Sequence, residues 1–145
     1  MAIKITDDVR EFVNKALADG VPCLVGTVDE DGSPNIGPKG SVLVLDDSTL
    51  AFWERSFRGA IANIRKNPKV VVYFRNPAAA QKLGGGGALR FYGRAEVHEK
   101  DAIREKVKPM VVKPEIEKDP ENKGFAILVH LDKITDLSGK VLQSR

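Results

Sequence analysis

Hydrophobic residues in this chain recur mainly at every second position, which is the spacing of half-buried β-strands. The clearest case is the segment 89–97, in which Leu89, Phe91 and Val97 alternate with charged residues and tyrosine. Five other stretches are rich in β-branched and aromatic residues and are bounded by turn residues, so each of them also predicts a strand. The predicted strands span residues 21–28, 33–45, 49–54, 69–74, 89–97 and 124–131.

Three shorter segments have the spacing of amphipathic helices instead. Thr6 is the predicted N-cap of the first, which ends at Gly20, and Ser56 is the predicted N-cap of the second, which stops before Pro68. Residues 100–107 predict a third helix. A charged segment with two prolines, residues 113–123, is expected to be a mobile loop.

These elements predict a single mainly β domain over residues 1–145, a β-barrel or sandwich with small helices. Hydrophobic residues make up 42% and charged residues 30% of the chain, and no apolar run approaches the roughly 20 residues of a membrane span. The first 15 residues carry acids and lack the apolar run of an export signal, so we expect a cytoplasmic protein. The net charge of +3 is spread along the chain and does not by itself indicate a nucleic-acid partner.

The segment 33–41, SPNIGPKGS, has an unusual composition for a strand. Lys39 and Ser41 are two residues apart, so on an extended strand they would share a face, and a charge beside a hydroxyl suits a phosphate. Further along, Arg55, Ser56 and Arg58 surround a predicted helix start, where free backbone N–H groups favour an anion. The alternative is an edge strand whose lysine is solvated, followed by a helix whose arginine lies on the surface and binds no ligand. Spacing alone favours this alternative.

The remaining motifs do not indicate a catalytic or binding site. The glycine run 84–87 lacks the spacing of a phosphate-binding loop and leads into a strand. His98 and His130 lie on different predicted elements, so no metal site is expected. Cys23 is predicted to be a buried, inert thiol. No nucleophile motif is found, and the catalytic residues are therefore unassigned. Trp53 fits a core position and a cofactor-facing position equally well.

The run from Gly26 to Phe74 resembles the pyridoxamine 5'-phosphate oxidase-like family of FMN-binding split barrels. The resemblance is carried by an ordered series: a DG turn, PNIGPKGS, an LDD turn, a strand ending in Phe52 and Trp53, and then ANIRKNP before VVV. It implies a six-stranded antiparallel Greek-key barrel that forms a homodimer, with one FMN in each of two clefts at the subunit interface. The cofactor-binding positions implied together by the resemblance and the spacing are Pro38, Lys39, Gly40, Ser41, Phe52, Trp53, Glu54, Arg55, Ser56, Arg58 and Gly59.

The resemblance implies an FMN-dependent oxidoreductase that acts on a small substrate. Three departures qualify it: a basic pair of the family falls on Gly59 and Ala60, a glutamine falls on Ala88, and the C-terminal signature of true pyridoxamine phosphate oxidases is missing. Vitamin B6 oxidation is therefore not predicted. A second hypothesis is an FMN-binding electron carrier or redox sensor without turnover of its own. A third, less favoured, is a small-barrel nucleic-acid binder using the basic and aromatic residues of 90–94. If FMN is not retained, a deazaflavin and haem are the next ligands to test.

Overall fold

Eight antiparallel strands form one curved sheet in the order β2-β1-β5-β6-β7-β4-β3, with β8 paired to β7. The computed structural model describes residues 2–145. The strands are β1 Cys23–Val28, β2 Pro34–Lys39, β3 Leu43–Asp46, β4 Thr49–Glu54, β5 Lys69–Arg75, β6 Ala88–His98, β7 Phe125–Thr135 and β8 Val141–Ser144. The helices are α1 Asp7–Asn14, α2 Ala60–Lys66, α3 Ala80–Leu83, α4 Ala102–Val107 and α5 Lys113–Ile116. The prediction of a mainly β, antiparallel architecture with small helices is confirmed.

The strand count is eight rather than six for two reasons. The predicted strand 33–45 is two strands, because residues 40–42 form a turn between β2 and β3. The added strand β8 follows a turn held by Asp136, whose carboxylate accepts hydrogen bonds from the backbone amides of Ser138 and Lys140. Gly139 adopts a positive φ of 90° in this turn. The Asp136–Gly139 sequence was a recognisable turn signal that the strand prediction missed.

The break between β2 and β3 sends the chain from one edge of the sheet to the other. β2 pairs only with β1, and the β3–β4 ladder stops at the pair Leu43–Ala51. Beyond it, the hydroxyl of Ser41 accepts a hydrogen bond from the Trp53 backbone N–H at 2.9 Å and donates one to the Trp53 carbonyl at 3.1 Å. One side chain thus satisfies two buried backbone groups that have lost their ladder partner.

Strand β4 is buried on both faces, and this divides the interior in two. Leu50 and Phe52 point into the main core inside the barrel, together with Phe74 and Phe91. Trp53, on the opposite face, packs in a second cluster beneath the α4–α5 segment. That cluster consists of Leu43, Ala51, Trp53, Val107, Val111, Ala126 and Leu128. The end of β4 therefore lies between the barrel interior and the α4–α5 segment.

Two predictions about the helices and loops were wrong. Ser56 is not the N-cap of α2, because the helix begins one turn later and Gly59 occupies the cap position. Residues 113–123 do not form a simple loop, since they contain α5 and a turn anchored by the Asp119 carboxylate. By contrast, the predicted Thr6 cap of α1 is confirmed, with its hydroxyl accepting from the Val9 amide. Among residues 2–145, no helix is long and apolar enough to cross a membrane.

Replacement of Ser41 tests how much the barrel depends on its closure at this turn. We expect Ser41→Ala to lower the free energy of unfolding by about 1 to 3 kcal/mol, because it leaves two buried backbone groups without partners. Urea denaturation followed by far-UV circular dichroism measures the loss. Ser48→Ala is the matched control, since that hydroxyl has no hydrogen-bond partner among residues 2–145. Equal stabilities of the two variants would contradict this role of Ser41.

Candidate cofactor cleft

A cavity of about 430 Å³ opens where the ends of β2 and β4 meet the α5 segment. Its walls come from the end of β2, from the four residues that finish β4 and follow it, and from α5 and the turn after it. They are Pro38, Lys39, Trp53, Glu54, Arg55, Ser56, Glu115 and Lys118. A smaller cavity of about 160 Å³ adjoins it, shares Lys39 and Ser56, and reaches Gly59. Most of the residues implied by the sequence therefore converge on one cleft.

The carboxylate of Glu54 lies at the base of this cleft and is almost fully buried, with its side chain 4% exposed. Oε1 accepts hydrogen bonds from the backbone amides of Arg55 at 3.1 Å and Ser56 at 2.9 Å. Oε2 lies 2.7 Å from Lys39 Nζ, but in an orientation that is not that of a hydrogen bond. The carboxylate thus holds the turn after β4 and pairs with the lysine at the end of β2.

The other charged groups of the cleft also have partners. Lys118 forms an ion pair with Glu115 at 2.7 Å, and the Nη1 of Arg55 donates to the Lys118 carbonyl at 2.8 Å. Glu115 packs closely over the turn between β2 and β3, since a Cβ added at Gly40 would lie 2.9 Å from the Glu115 carboxyl carbon. Gly40 therefore allows α5 to close over this side of the cavity.

Four of the implied site residues line neither cavity. Phe52 is fully buried in the main core. Ser41 is 3% exposed and bonded to Trp53, so it does not share a ligand-facing strand surface with Lys39. Gly40 packs beneath Glu115, as described above. Arg58 is exposed and makes no ion pair or side-chain hydrogen bond within residues 2–145.

Trp53 reaches the edge of the larger cavity, but its indole belongs mainly to the second hydrophobic cluster. Its Nε1 donates to Asp119 at 2.8 Å, and the buried guanidinium of Arg104 lies 4.7 Å from the ring centre. Burial alone would raise the pKa of Asp119, but hydrogen bonds from the indole and from the amides of Lys123 and Gly124 lower this pKa below its ordinary value. The ionised Asp119 thus joins the α5 segment to β4.

Sequence reasoning missed the residues that the α5 segment contributes. Glu115 and Lys118 are more than 60 positions from Trp53 and Glu54 in the sequence, and they lie in a stretch where alternating charges are typical of a solvated surface. Tertiary contacts of the segment bring them to the cavity, among them the Asp119–Trp53 hydrogen bond and the packing of Ile116 against the second cluster. No local motif could have assigned them to the site.

The remaining titratable groups singled out in the sequence lie outside the cleft. Burial raises the pKa of the Cys23 thiol to about 12, so at neutral pH it is the protonated, unreactive form. His98 lies between the carboxylates of Glu96 and Asp101. Burial opposes its charged form, but these two hydrogen bonds raise its pKa. Within residues 2–145, no group of three or more histidine, cysteine or acidic side chains is arranged to hold a metal ion.

An antiparallel barrel that is split at β2–β3, with a charged cleft at the split, defines the class of small split-barrel proteins. Comparison with known proteins identifies the family. Residues 5–130 match the family model described as pyridoxamine 5'-phosphate oxidase. The match covers most of the chain, and the chain therefore belongs to the pyridoxamine 5'-phosphate oxidase family, whose fold is of the flavin-binding oxidoreductase type.

Solved structures agree with this assignment. HupZ from Group A Streptococcus is 26% identical over 96% of this chain and 99% of its own, with a TM-score of 0.71. A putative pyridoxamine 5'-phosphate oxidase from Lactobacillus delbrueckii is 30% identical over 91% of this chain and 93% of its own, with a TM-score of 0.65. General Stress Protein 26 from Bacillus anthracis, at 15% identity, 93% and 98% coverage and a TM-score of 0.64, shares the fold. No curated protein matches the sequence.

Acidification tests the link between Asp119 and Trp53. Because folding lowers the pKa of Asp119, its stabilising contribution is present above the ordinary aspartate range and is lost as the pH falls through the lowered pKa. Trp53 is the only tryptophan in the chain, so a red shift of its fluorescence below about pH 4 reports the loss.

Asp119→Asn should show the red-shifted emission already at neutral pH, because an amide has one accepting oxygen where the carboxylate uses both, to bind the indole and two backbone amides. Asp136→Asn is the matched control, since folding also lowers the pKa of this carboxyl, which holds the β7–β8 turn. The same emission in all three proteins throughout the titration would contradict the role of Asp119.

Proposed function

We propose that this protein binds a flavin in the cleft between β2, β4 and α5 and acts as an oxidoreductase on a small substrate. FMN is the flavin that the family resemblance implies. The observation that carries the proposal is the convergence of the β2 end, the β4 end and the distant α5 on one cavity of ligand size. A bound flavin supplies the hydride or electron chemistry. Vitamin B6 oxidation is not part of the proposal.

The residues of the cleft fit a flavin in part. The volume of about 430 Å³ lies within the range of small-molecule and cofactor sites. The cations Lys39, Arg55 and Lys118 line it, and the hydroxyl of Ser56 and the carboxylate of Glu115 offer partners for ribityl hydroxyl groups. The fit to the phosphate group of FMN is poorer, because Gly59 and Ala60 supply no positive charge and Glu54 adds a negative charge.

The second candidate function is that of an electron carrier or redox sensor, and the types of residue that line the cavity support it. Within the described chain, no histidine, cysteine or tyrosine lines the larger cavity. Electron transfer through a flavin needs no proton donor from the protein, whereas many substrate oxidations do. Reduction by NADH or NADPH separates the two candidates, since only the enzyme is expected to turn over at a useful rate.

The nucleic-acid hypothesis has less support. Phe91 is fully buried in the main core and cannot stack on a base. Arg90 donates to the Leu137 carbonyl, and Arg94 forms an ion pair with Asp132. A continuous platform of exposed aromatic and basic side chains, which single-stranded nucleic acids use, is therefore lacking on this strand.

The visible absorption spectrum of the purified protein is the direct test of flavin binding. We expect flavin bands that remain with the protein through gel filtration, or quenched and saturable fluorescence when FMN or riboflavin is titrated into colourless protein. A protein that binds neither flavin would refute the proposal. Deazaflavin and haem would then be titrated in the same way.

We also propose that the protein is a homodimer, as the resemblance implies, with the outer face of β1, β2, β5 and β6 at the interface. This face carries an apolar cavity of about 450 Å³. Ile36 lies in it with 65% of its surface exposed, and the same residue lines the smaller cavity beside Lys39. The apolar face and the cleft therefore adjoin, as cofactor sites at a subunit interface require.

A charge on this face should separate the subunits. We expect Ile36→Glu to convert a dimer to a folded monomer, because burying an unpaired carboxylate in an apolar interface is costly, whereas the exposed position in one subunit tolerates it. Sedimentation velocity measures the change, and circular dichroism checks the fold. Leu142→Glu is the control, being similarly exposed but on β8. A wild-type monomer, or an unchanged dimer in the Ile36 variant, would contradict the proposed interface.

A further inference from the structure

Three donors converge on the carboxylate of Glu54 at the base of the cleft. The amides of Arg55 and Ser56 donate to Oε1, and the ammonium of Lys39 lies 2.7 Å from Oε2. Two successive backbone N–H groups and a lysine are also the kind of donor set that binds phosphate. In this chain, the anion that these donors hold is part of the protein.

The other charged groups in the walls of the cleft do not outweigh the negative charge of Glu54. Glu115 and Lys118 neutralise each other at 2.7 Å. Arg55 has no carboxylate within ion-pair distance among residues 2–145, so it remains as an attraction for an anion, but its side chain is exposed and solvent and salt weaken that attraction. A phosphate entering the cleft would meet the buried charge of Glu54 in place of free amides.

The second oxygen of Glu54 is also held within the protein. Oε2 is buried and lies 2.7 Å from the ammonium of Lys39, although not in the orientation of a hydrogen bond. The carboxylate therefore occupies the position that an anion would take and adds a fixed negative charge to the cleft. A flavin whose ribityl chain ends in a neutral hydroxyl is not repelled by this charge, whereas one that ends in an ionised phosphate is.

We propose that Glu54 is a specificity-determining residue, which makes the cleft select flavins without a terminal phosphate, of the riboflavin type, over FMN. This inference rests on the proposed flavin binding and narrows the class of ligand. The carboxylate acts by filling the anion position and by repelling a second negative charge. It does not take part in the chemistry of the flavin.

Fluorescence titration of the wild-type protein with riboflavin and with FMN at equal ionic strength tests the selection. We expect FMN to bind no more tightly than riboflavin. Glu54→Gln, which keeps the size and removes the charge, should move the ratio of the two affinities toward FMN by about tenfold or more, the scale of a charged hydrogen bond. Glu54→Asp retains the charge and should stay close to wild type. Thermal melting establishes that each variant is folded.

Glu121→Gln is the matched control, because this exposed carboxylate is also paired with a lysine, Lys123, but lines neither cavity of the cleft. A shift in the affinity ratio as large as that of Glu54→Gln would overturn the proposal, and so would a wild-type protein that prefers FMN about tenfold or more. If Glu54→Gln does not fold, Glu54→Ser takes its place, with the same expectations.

Inorganic phosphate separates this proposal from the proposed function. Saturable thermal stabilisation by phosphate, compared with chloride at matched ionic strength, is expected for Glu54→Gln and not for the wild type. If neither flavin binds any of the proteins, flavin binding is refuted. Phosphate stabilisation of Glu54→Gln alone would then still support Glu54 as the filler of an anion site, and its absence would overturn that role too.

Discussion

The structure depends on how the chain crosses from β2 to β3 in only three residues. These strands lie at opposite edges of the sheet, so the turn at residues 40–42 must close the barrel without a continuous ladder. The hydroxyl of Ser41 replaces the missing pairing by bonding both backbone groups of Trp53. Fixing the Trp53 backbone directs its indole toward the α4–α5 segment and leaves the next side chain, Glu54, at the cleft.

The ion pair between Lys39 and Glu54 joins the end of β2, where this turn begins, to the end of β4. A buried pair contributes little net stability, because the loss of hydration offsets most of the attraction between the charges. Its main consequence is therefore for what the cleft binds. The hydrogen bonds from Arg55 and Ser56 hold the carboxylate in one orientation, so the charge is a fixed part of the cavity wall.

The sequence was sufficient for the architecture, since alternation along strands such as β6 and the turn residues between them reflect local backbone preferences. It also located the cleft, because the resemblance over residues 26–74 covers both strand ends that form it. The roles of individual side chains within the cleft could be predicted less well from the sequence. That Ser41 and Phe52 turn inward depends on the break at residues 40–42, and the positions of Glu115 and Lys118 depend on the tertiary contact between Asp119 and Trp53. Neither is encoded by spacing.

Membership of a family fixes the fold more firmly than the ligand, and the departures at the phosphate end illustrate this. The resemblance implies a basic pair where this chain has Gly59 and Ala60, which supply no positive charge, and the carboxylate of Glu54 adds a negative charge to the cleft wall. Both features oppose a phosphate. The amides of Arg55 and Ser56 and the ammonium of Lys39 already have an anion within the protein. This is the arrangement expected if the cleft prefers a flavin without a terminal phosphate.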